Sequence, residues 1–429
     1  MKKNTPLLIV ILGGLLLMFP FNAAAQSYFG AEACANCHIT QHNEWIVSGH
    51  PWKLVSSEVA QNRAVPLPQP PLPPGVSGLT WDDVSYIIGG YKWKVRYIDN
   101  DGYIITSVDT DGDGLADTPG MNQYNMLTGE WSDYHPGEEF KPYNCGTCHT
   151  TGWVPDTDWE TDGDLSDNQD GLPGMHGTFA FGGVQCEACH GPGAHFSGEY
   201  QGIDDSAAAC GSCHFRGDTA TIPAKGGFIR HHEQYNEQLA SPHAELKCVS
   251  CHNPHKKAEY SIVTSCEDCH SGIADSYALT EMGEFGVECQ DCHMPFATKS
   301  AQALGPYKGD IRTHLFRINT DADANLFTED GGLVLLDEMG QAGVTLDFAC
   351  LSCHQGENLL WAEDYAKNFH EMEEPDEVCL CHIPRGNPRN RHDICVDPDD
   401  VAAHLNHGDV LDECANVEVV DRFRRRTSN

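Results

Sequence analysis

The 429-residue chain carries 26 Lys and Arg against 63 Asp and Glu, a formal net charge of −37. That excess excludes nucleic acid and anionic membrane surfaces as partners and favours basic redox proteins, metal ions or mineral surfaces. Length alone predicts two or three domains, yet only 40% of residues are hydrophobic, with 42 Gly and 24 Pro, so aliphatic side chains cannot fill the whole interior.

In chain order, MKKNTPLLIVILGGLLLMFPFNAAAQ comes first. Lys2 and Lys3, the apolar run Leu7 to Phe19 and the small residues Ala23 to Ala25 predict a secretory signal peptide over 1–25, cleaved near Ala25. The run is short for a membrane span, and no later segment is apolar enough for one. No cysteine follows the cleavage site, so no lipid anchor is expected. The mature protein is expected in the periplasm or outside the cell.

Residues 27–64 contain a helix-like segment, HNEWIVSGHPWKLVSSEVA. VPLPQPPLPPG then reads as an extended surface connector. YKWKVRYIDNDGYIITSVD (91–109) alternates large and charged residues and turns at Asp-Gly, which predicts a β-hairpin within an insertion over 75–135. In DTDGDGLAD, Asp109, Asp111, Asp113 and Asp117 take positions one, three, five and nine of a calcium loop, with Gly114 at six, but Gly120 stands where an EF-hand has its closing Glu. A solitary acidic turn is the bland alternative to Ca²⁺. The acidic stretch DTDWETDGDLSDNQDG (156–171) reads as a solvated loop.

Eight Cys-x-x-Cys-His units follow one another: Cys34/Cys37/His38, Cys145/Cys148/His149, Cys186/Cys189/His190, Cys210/Cys213/His214, Cys248/Cys251/His252, Cys266/Cys269/His270, Cys289/Cys292/His293 and Cys350/Cys353/His354. This is the attachment signature of haem c: two thioethers to the ring edge and a proximal imidazole on iron, all from one turn of chain. Zinc knuckles do not require His directly after every second Cys, and a disulfide framework would not repeat this spacing. Six units fall between 145 and 300, where no hydrophobic run promises a conventional core. The expectation is a mainly irregular and α-helical, haem-cored domain over 26–374 with eight covalent haems, short helices around the motifs and a small β-hairpin insertion.

From 375 to 429 the character changes. Cys379, Cys381, Cys395 and Cys414 follow no haem spacing, and His404 and His407 lie three apart. Two disulfides in a small stapled module, or a zinc site drawing on Cys381, His382, His404, His407 or Cys414, are the competing readings. The Arg-rich run Arg422 to Arg426 reads as a solvated tail.

A low-spin iron needs a sixth ligand, His or Met. Eleven histidines before residue 375 lie outside the motifs: 42, 50, 135, 176, 195, 231, 232, 243, 255, 314 and 370. His50, His135, His195, His232, His243, His255, His314 and His370 are the preferred distal ligands, with His176 the rival of His135 and His231 of His232. Met121, Met126, Met175, Met282 and Met294 are substitutes whose plainer role is apolar filler. His255 follows His252 by three residues and His195 follows His190 by five. Neither can pass round the rim of the haem its neighbour holds, so each must serve a different one.

The phrases CANCHITQHNEWIVSGH, VQCEACHGPGAH, HHEQYNEQLASPH, CVSCHNPH and ECQDCHMP resemble the multihaem c-type cytochromes of bacterial respiration, particularly the eight-haem members. The resemblance covers about 27–370 and implies closely packed, mostly bis-histidine haems carrying electrons between redox proteins or to extracellular acceptors, with self-assembly known among such proteins. Some relatives are instead reductases or oxidases of small nitrogen or sulfur compounds. The nitrite reductases of this class use Cys-x-x-Cys-Lys at the catalytic haem, and no such unit occurs here. The expected function is therefore an electron carrier without a catalytic residue; the alternative is a multihaem oxidoreductase with one open distal site.

Overall fold

A computed structural model of the chain describes residues 28–62, 69–73, 79–108, 118–161, 163–193, 203–367, 369–370, 378–384, 387–411 and 414–415. The signal-peptide segment, Asp109, Asp111, Asp113 and Asp117, His195 and the Arg422–Arg426 run lie outside the described residues.

A seven-stranded antiparallel sheet organises the first third. Its strands are β1 (Leu54–Ser56), β2 (Val84–Gly89), β3 (Lys94–Asp99), β4 (Tyr103–Ile104), β5 (Gln123–Asn125), β6 (Glu130–Ser132) and β7 (Lys141–Pro142). The spatial order is β1-β2-β3-β4-β7, with β5 pairing to the start of β3 and β6 to β5. The expected hairpin is β3–β4. Asp99 Oδ1 accepts the amides of Asp101 and Tyr103 at 3.0 and 2.8 Å, and Gly102 takes φ 87°, which only glycine adopts freely.

The sheet buries both faces. Trp52, Val55, Val84, Ile87, Val95 and Tyr97 pack on one, and Leu54, Ile88, Ile98, Ile104, Tyr143 and Met175 on the other. Burial on both sides blurs the period-two pattern, so the sequence reveals a hairpin where the fold holds a full sheet. The proline connector is fastened down rather than free on the surface: Leu72 packs on the first cluster and the Tyr97 hydroxyl donates to the Pro71 carbonyl.

The motifs sit on single turns such as Gly146–His149, Cys186–His190, Cys248–Cys251 and Cys289–His293. The amides of His38, His214, His252 and His270 each donate to the carbonyl of the first motif cysteine at 2.9 Å, which closes the turn and puts all three side chains on one side. The helices are short, as expected, but strands are more frequent than the mainly irregular and helical picture allowed.

A second correction concerns the core. Ile222, Phe228, Ile229, Ala240 and Ala297 join Leu315, Leu326, Val334, Val344 and Phe348 in one buried cluster. These residues come in short apolar stretches spread from Ile222 to Phe348, such as Phe228-Ile229 and Leu333 to Leu336, none long enough to announce a core. Beyond it, β8 (Val378–His382) and β9 (His392–Val396) form an antiparallel pair followed by the helix Pro398–His407. No helix among the described residues is long and apolar enough to cross a membrane.

Candidate haem-binding sites

An imidazole nitrogen binds a first-row metal at about 2 Å and its ring centre lies about 1 Å further back, so two imidazoles flanking one ion have ring centres roughly 6 Å apart. Five motif histidines face a second histidine at that spacing. The pairs are His190–His255 at 6.2 Å, His214–His50 at 6.4 Å, His252–His314 at 6.2 Å, His270–His243 at 6.1 Å and His293–His370 at 5.8 Å. Every second member is one of the preferred distal histidines. His255 faces His190, 65 positions earlier in sequence, not its neighbour His252.

The rings are held from behind. His149 Nδ1 lies 3.1 Å from the Lys53 carbonyl and His293 Nδ1 2.7 Å from that of Phe316. A carbonyl only accepts, so Nδ1 carries the proton and Nε2 presents its lone pair. His252 Nδ1 meets Ser261 Oγ at 3.1 Å, and His255 Nδ1 meets Asn253 Oδ1 at 3.2 Å. Burial, then His214, pushes His50 down to about 4; burial, then Lys53, pushes His149 to about 3; burial, then His252, pushes His314 to about 3. At neutral pH these imidazoles are uncharged, the form that binds a metal.

One short helix, Gln234–Leu239, positions several of these rings through three consecutive buried polar side chains. Asn236 Nδ2 donates to the carbonyls of Asp218 and Thr221 beyond the fourth motif, at 2.9 and 2.8 Å. Glu237 accepts the His314 amide at 2.6 Å and the Thr313 hydroxyl. Gln238 Nε2 donates to the Leu246 carbonyl at 2.6 Å, just before Cys248. Burial pushes the Glu237 carboxyl up to about 8, so it holds a proton at neutral pH. Glu187, a spacer residue of the third motif, accepts the amides of Phe29 at 2.9 Å, Gly30 at 2.8 Å and Gly193 at 2.8 Å. It ties the first motif to the third. Sequence patterning missed Glu187 and Glu237; the only signal was an acidic residue where no solvent-facing helix was evident.

Cysteines of neighbouring motifs approach one another in a connected series. Cys34 is within hydrogen-bonding reach of Cys186, Cys210 of Cys248, and Cys266 of Cys289. Cys189 interacts electrostatically with Cys210, Cys251 with Cys266 and Cys269, and Cys292 with Cys350 and Cys353. The second motif branches from this line, Cys148 meeting Cys213.

The motif thiols differ in exposure: Cys189, Cys266 and Cys353 are exposed, and so is Cys37, whereas Cys34 of the same motif as Cys37 is half-buried. The turn itself is formed, since the Cys37 amide donates to the Cys34 carbonyl at 3.1 Å. The reason is one-sided packing: the third motif approaches the first at Cys34 and leaves Cys37 at the surface.

Other predicted residues stand elsewhere. His135 bonds Glu138 at 2.6 Å, and His176 stacks on Trp159 at 4.0 Å in a cavity of about 380 Å³ whose lining includes no motif residue. His42 lies 3.5 Å from Glu32. His231 and His232 are edge-to-face at 4.2 Å, and His232 is the one that interacts with His149. No imidazole among the described residues faces His149 or His354 at the paired spacing; His354 instead lies 5.0 Å from the Trp361 ring. Two cations act on His149, Lys53 and then Arg96. Burial, then Arg96, pushes Lys94 down to about 8, and Arg216 and Arg230 act on it too. Arg96 in turn interacts with Cys145 and His149. Cys379–Cys395 and Cys381–Cys414 are disulfides.

A family model described as cytochrome c3 matches residues 178–271. The multihaem cytochrome MtrA of Shewanella baltica (strain OS185) is 26% identical over 156 residues, 30% of this chain and 43% of that protein, so the chain spans less than half the length of this curated relative. The octahaem sulfite reductase MccA of Wolinella succinogenes, form II, superposes with a TM-score of 0.57 at 18% identity, over 76% of this chain and 65% of that one. The outer cell wall cytochrome OcwA gives a TM-score of 0.46 at 20% identity, over 80% and 87% of the two chains. By its repeated attachment motifs, the match over 178–271 and the stretch shared with MtrA, the chain is similar to multihaem c-type cytochromes, and it shares its fold with MccA.

Proposed function

We propose that the chain is a secreted octahaem c-type cytochrome that carries electrons in the periplasm or outside the cell. The observation that carries this reading is the set of five imidazole pairs at 5.8–6.4 Å. Haem c, when bound, supplies reversible one-electron chemistry at iron. The chain's own part is to hold sixteen motif thiols and eight motif imidazoles on closed turns, to supply distal imidazoles from distant segments, and to keep those imidazoles neutral by burial. The connected motif series supports closely spaced groups from the first to the eighth motif. The acidic surface suits basic redox partners.

A second reading rests on the second motif. With no facing imidazole at the paired spacing among the described residues, and with Lys53 and Arg96 acting on it, the surroundings of His149 suit a small oxyanion of nitrogen or sulfur. In a chain of net charge −37 such a cluster concentrates positive field where the rest of the surface repels anions.

Electron paramagnetic resonance of the oxidised holoprotein, with carbon monoxide added to the reduced form, tests both. The first reading requires at least five low-spin haems; fewer would overturn it. CO binding that disappears in Cys145→Ala/Cys148→Ala supports the second reading, and no CO binding removes it.

A further inference from the structure

We propose that the segment after Val378 binds one divalent transition-metal ion, Zn²⁺ the foremost, through His382, His404, His407 and Asp409. His382 ends β8, His404 and His407 lie on the helix Pro398–His407, and Asp409 follows that helix. Their ligand atoms all lie within 4.8 Å of one another. His382 Nδ1, His404 Nδ1 and His407 Nε2 converge on the same oxygen, Asp409 Oδ2, at 2.9, 2.7 and 3.0 Å.

Hydrogen bonding alone explains this poorly. Asp409 is buried, and its Oδ1 already accepts the Ile383 amide at 2.8 Å. Three imidazoles then compete for the lone pairs of one oxygen, which has about two. A cation among them satisfies all four groups. The ring centres form a near-equilateral triangle, 5.9 Å for His382–His404, 5.1 Å for His382–His407 and 5.5 Å for His404–His407. Rings spread at tetrahedral angles around one ion have centres about 5 Å apart. Two of its three sides, 5.1 and 5.5 Å, are shorter than any of the five paired spacings above.

The donor set is three imidazoles and one carboxylate. All four positions of a tetrahedral zinc site are thereby filled by protein, the pattern of a structural site. The cysteines take no part, because Cys381 and Cys414 are bonded to each other. The ion would pin the helix to β8, while Asn406, between two of the ligands, donates to the Glu245 carbonyl at 2.8 Å and fastens the same helix beside the fifth motif.

The test uses the full-length holoprotein, stripped with a chelator and titrated with Zn²⁺, with zinc measured against haem iron by elemental analysis and its surroundings by zinc-edge X-ray absorption. One zinc per chain is expected, in a shell of four nitrogen and oxygen atoms at about 2.0–2.1 Å. His404→Gln/His407→Gln should weaken binding roughly a hundredfold or more. Asp409→Asn should weaken it less, and His392→Gln, adjacent but bonded through Nδ1 to the Asn390 carbonyl, should leave it unchanged. Haem content and disulfide-intact mass verify that each variant is folded. No zinc uptake, zinc with sulfur at about 2.3 Å, or unchanged binding in the double variant would each overturn the proposal.

Discussion

Seven of the eight motif units fall into two kinds. Those led by Cys186, Cys210, Cys248, Cys266 and Cys289 have a second imidazole across from the motif histidine, while those led by Cys145 and Cys350 have none at that spacing among the described residues. The paired units are built by exchange. His50 follows the first motif but faces the fourth, and His255 belongs to the fifth but faces the third. A chain this poor in aliphatic core gains cohesion when each axial pair joins segments far apart in sequence. The unpaired second motif lies instead among cations, where an open coordination position would have a use.

The largest expected effect comes from unpairing a paired unit. His314→Ala should convert one low-spin haem to high-spin and create a CO-binding site, read by electron paramagnetic resonance and CO difference spectra; unchanged spectra would remove His314 from the ligand set. Next is Glu187→Ala, which leaves the amides of Phe29, Gly30 and Gly193 without their acceptor. It should cost about 3 kcal/mol, seen as a lower unfolding midpoint and early proteolysis before Cys34. If the second reading holds, Arg96→Gln at the second motif should weaken binding of sulfite or nitrite about tenfold, roughly 1.4 kcal/mol, without altering the low-spin signals.

The smallest effect concerns the helix that serves the paired units. The folded state keeps the Glu237 proton up to about pH 8, whereas an ordinary Glu releases it near 4.5. Its contribution is complete below 4.5 and is lost as pH rises through 8. Unfolding midpoints should therefore fall between about pH 4.5 and 8 in the natural protein, and Glu237→Gln should flatten that fall.

Much of this was legible in the sequence, and for a physical reason. Haem attachment needs three side chains from one turn, so its signature is local. How deeply each thiol lies was not legible, because the motif that shelters Cys34 and leaves Cys37 exposed comes from about 150 residues away. The distal histidines were legible only as a set, because a census counts ligands without saying which segments meet. Only the chain-length limit on His255 carried spatial information. The sheet was mostly hidden, since both faces are buried and Leu54 is separated from its partner Ile88 by a proline-rich stretch. The second core was hidden because its members come from short stretches spread between Ile222 and Phe348. Asp409 escaped notice because the zinc reading filled its ligand set with Cys381 and Cys414, which the structure joins in a disulfide.

Crossed ligation is the central claim, and epistasis between two sites tests it most directly. His255→Met should give one haem the sulfur-to-iron charge-transfer band of His/Met ligation and raise its potential. In a Cys186→Ala/Cys189→Ala background, which lacks the third haem, the same substitution should change nothing. In a Cys248→Ala/Cys251→Ala background it should still alter one haem. The opposite pattern, silence in the second background and a new band in the first, would contradict the account.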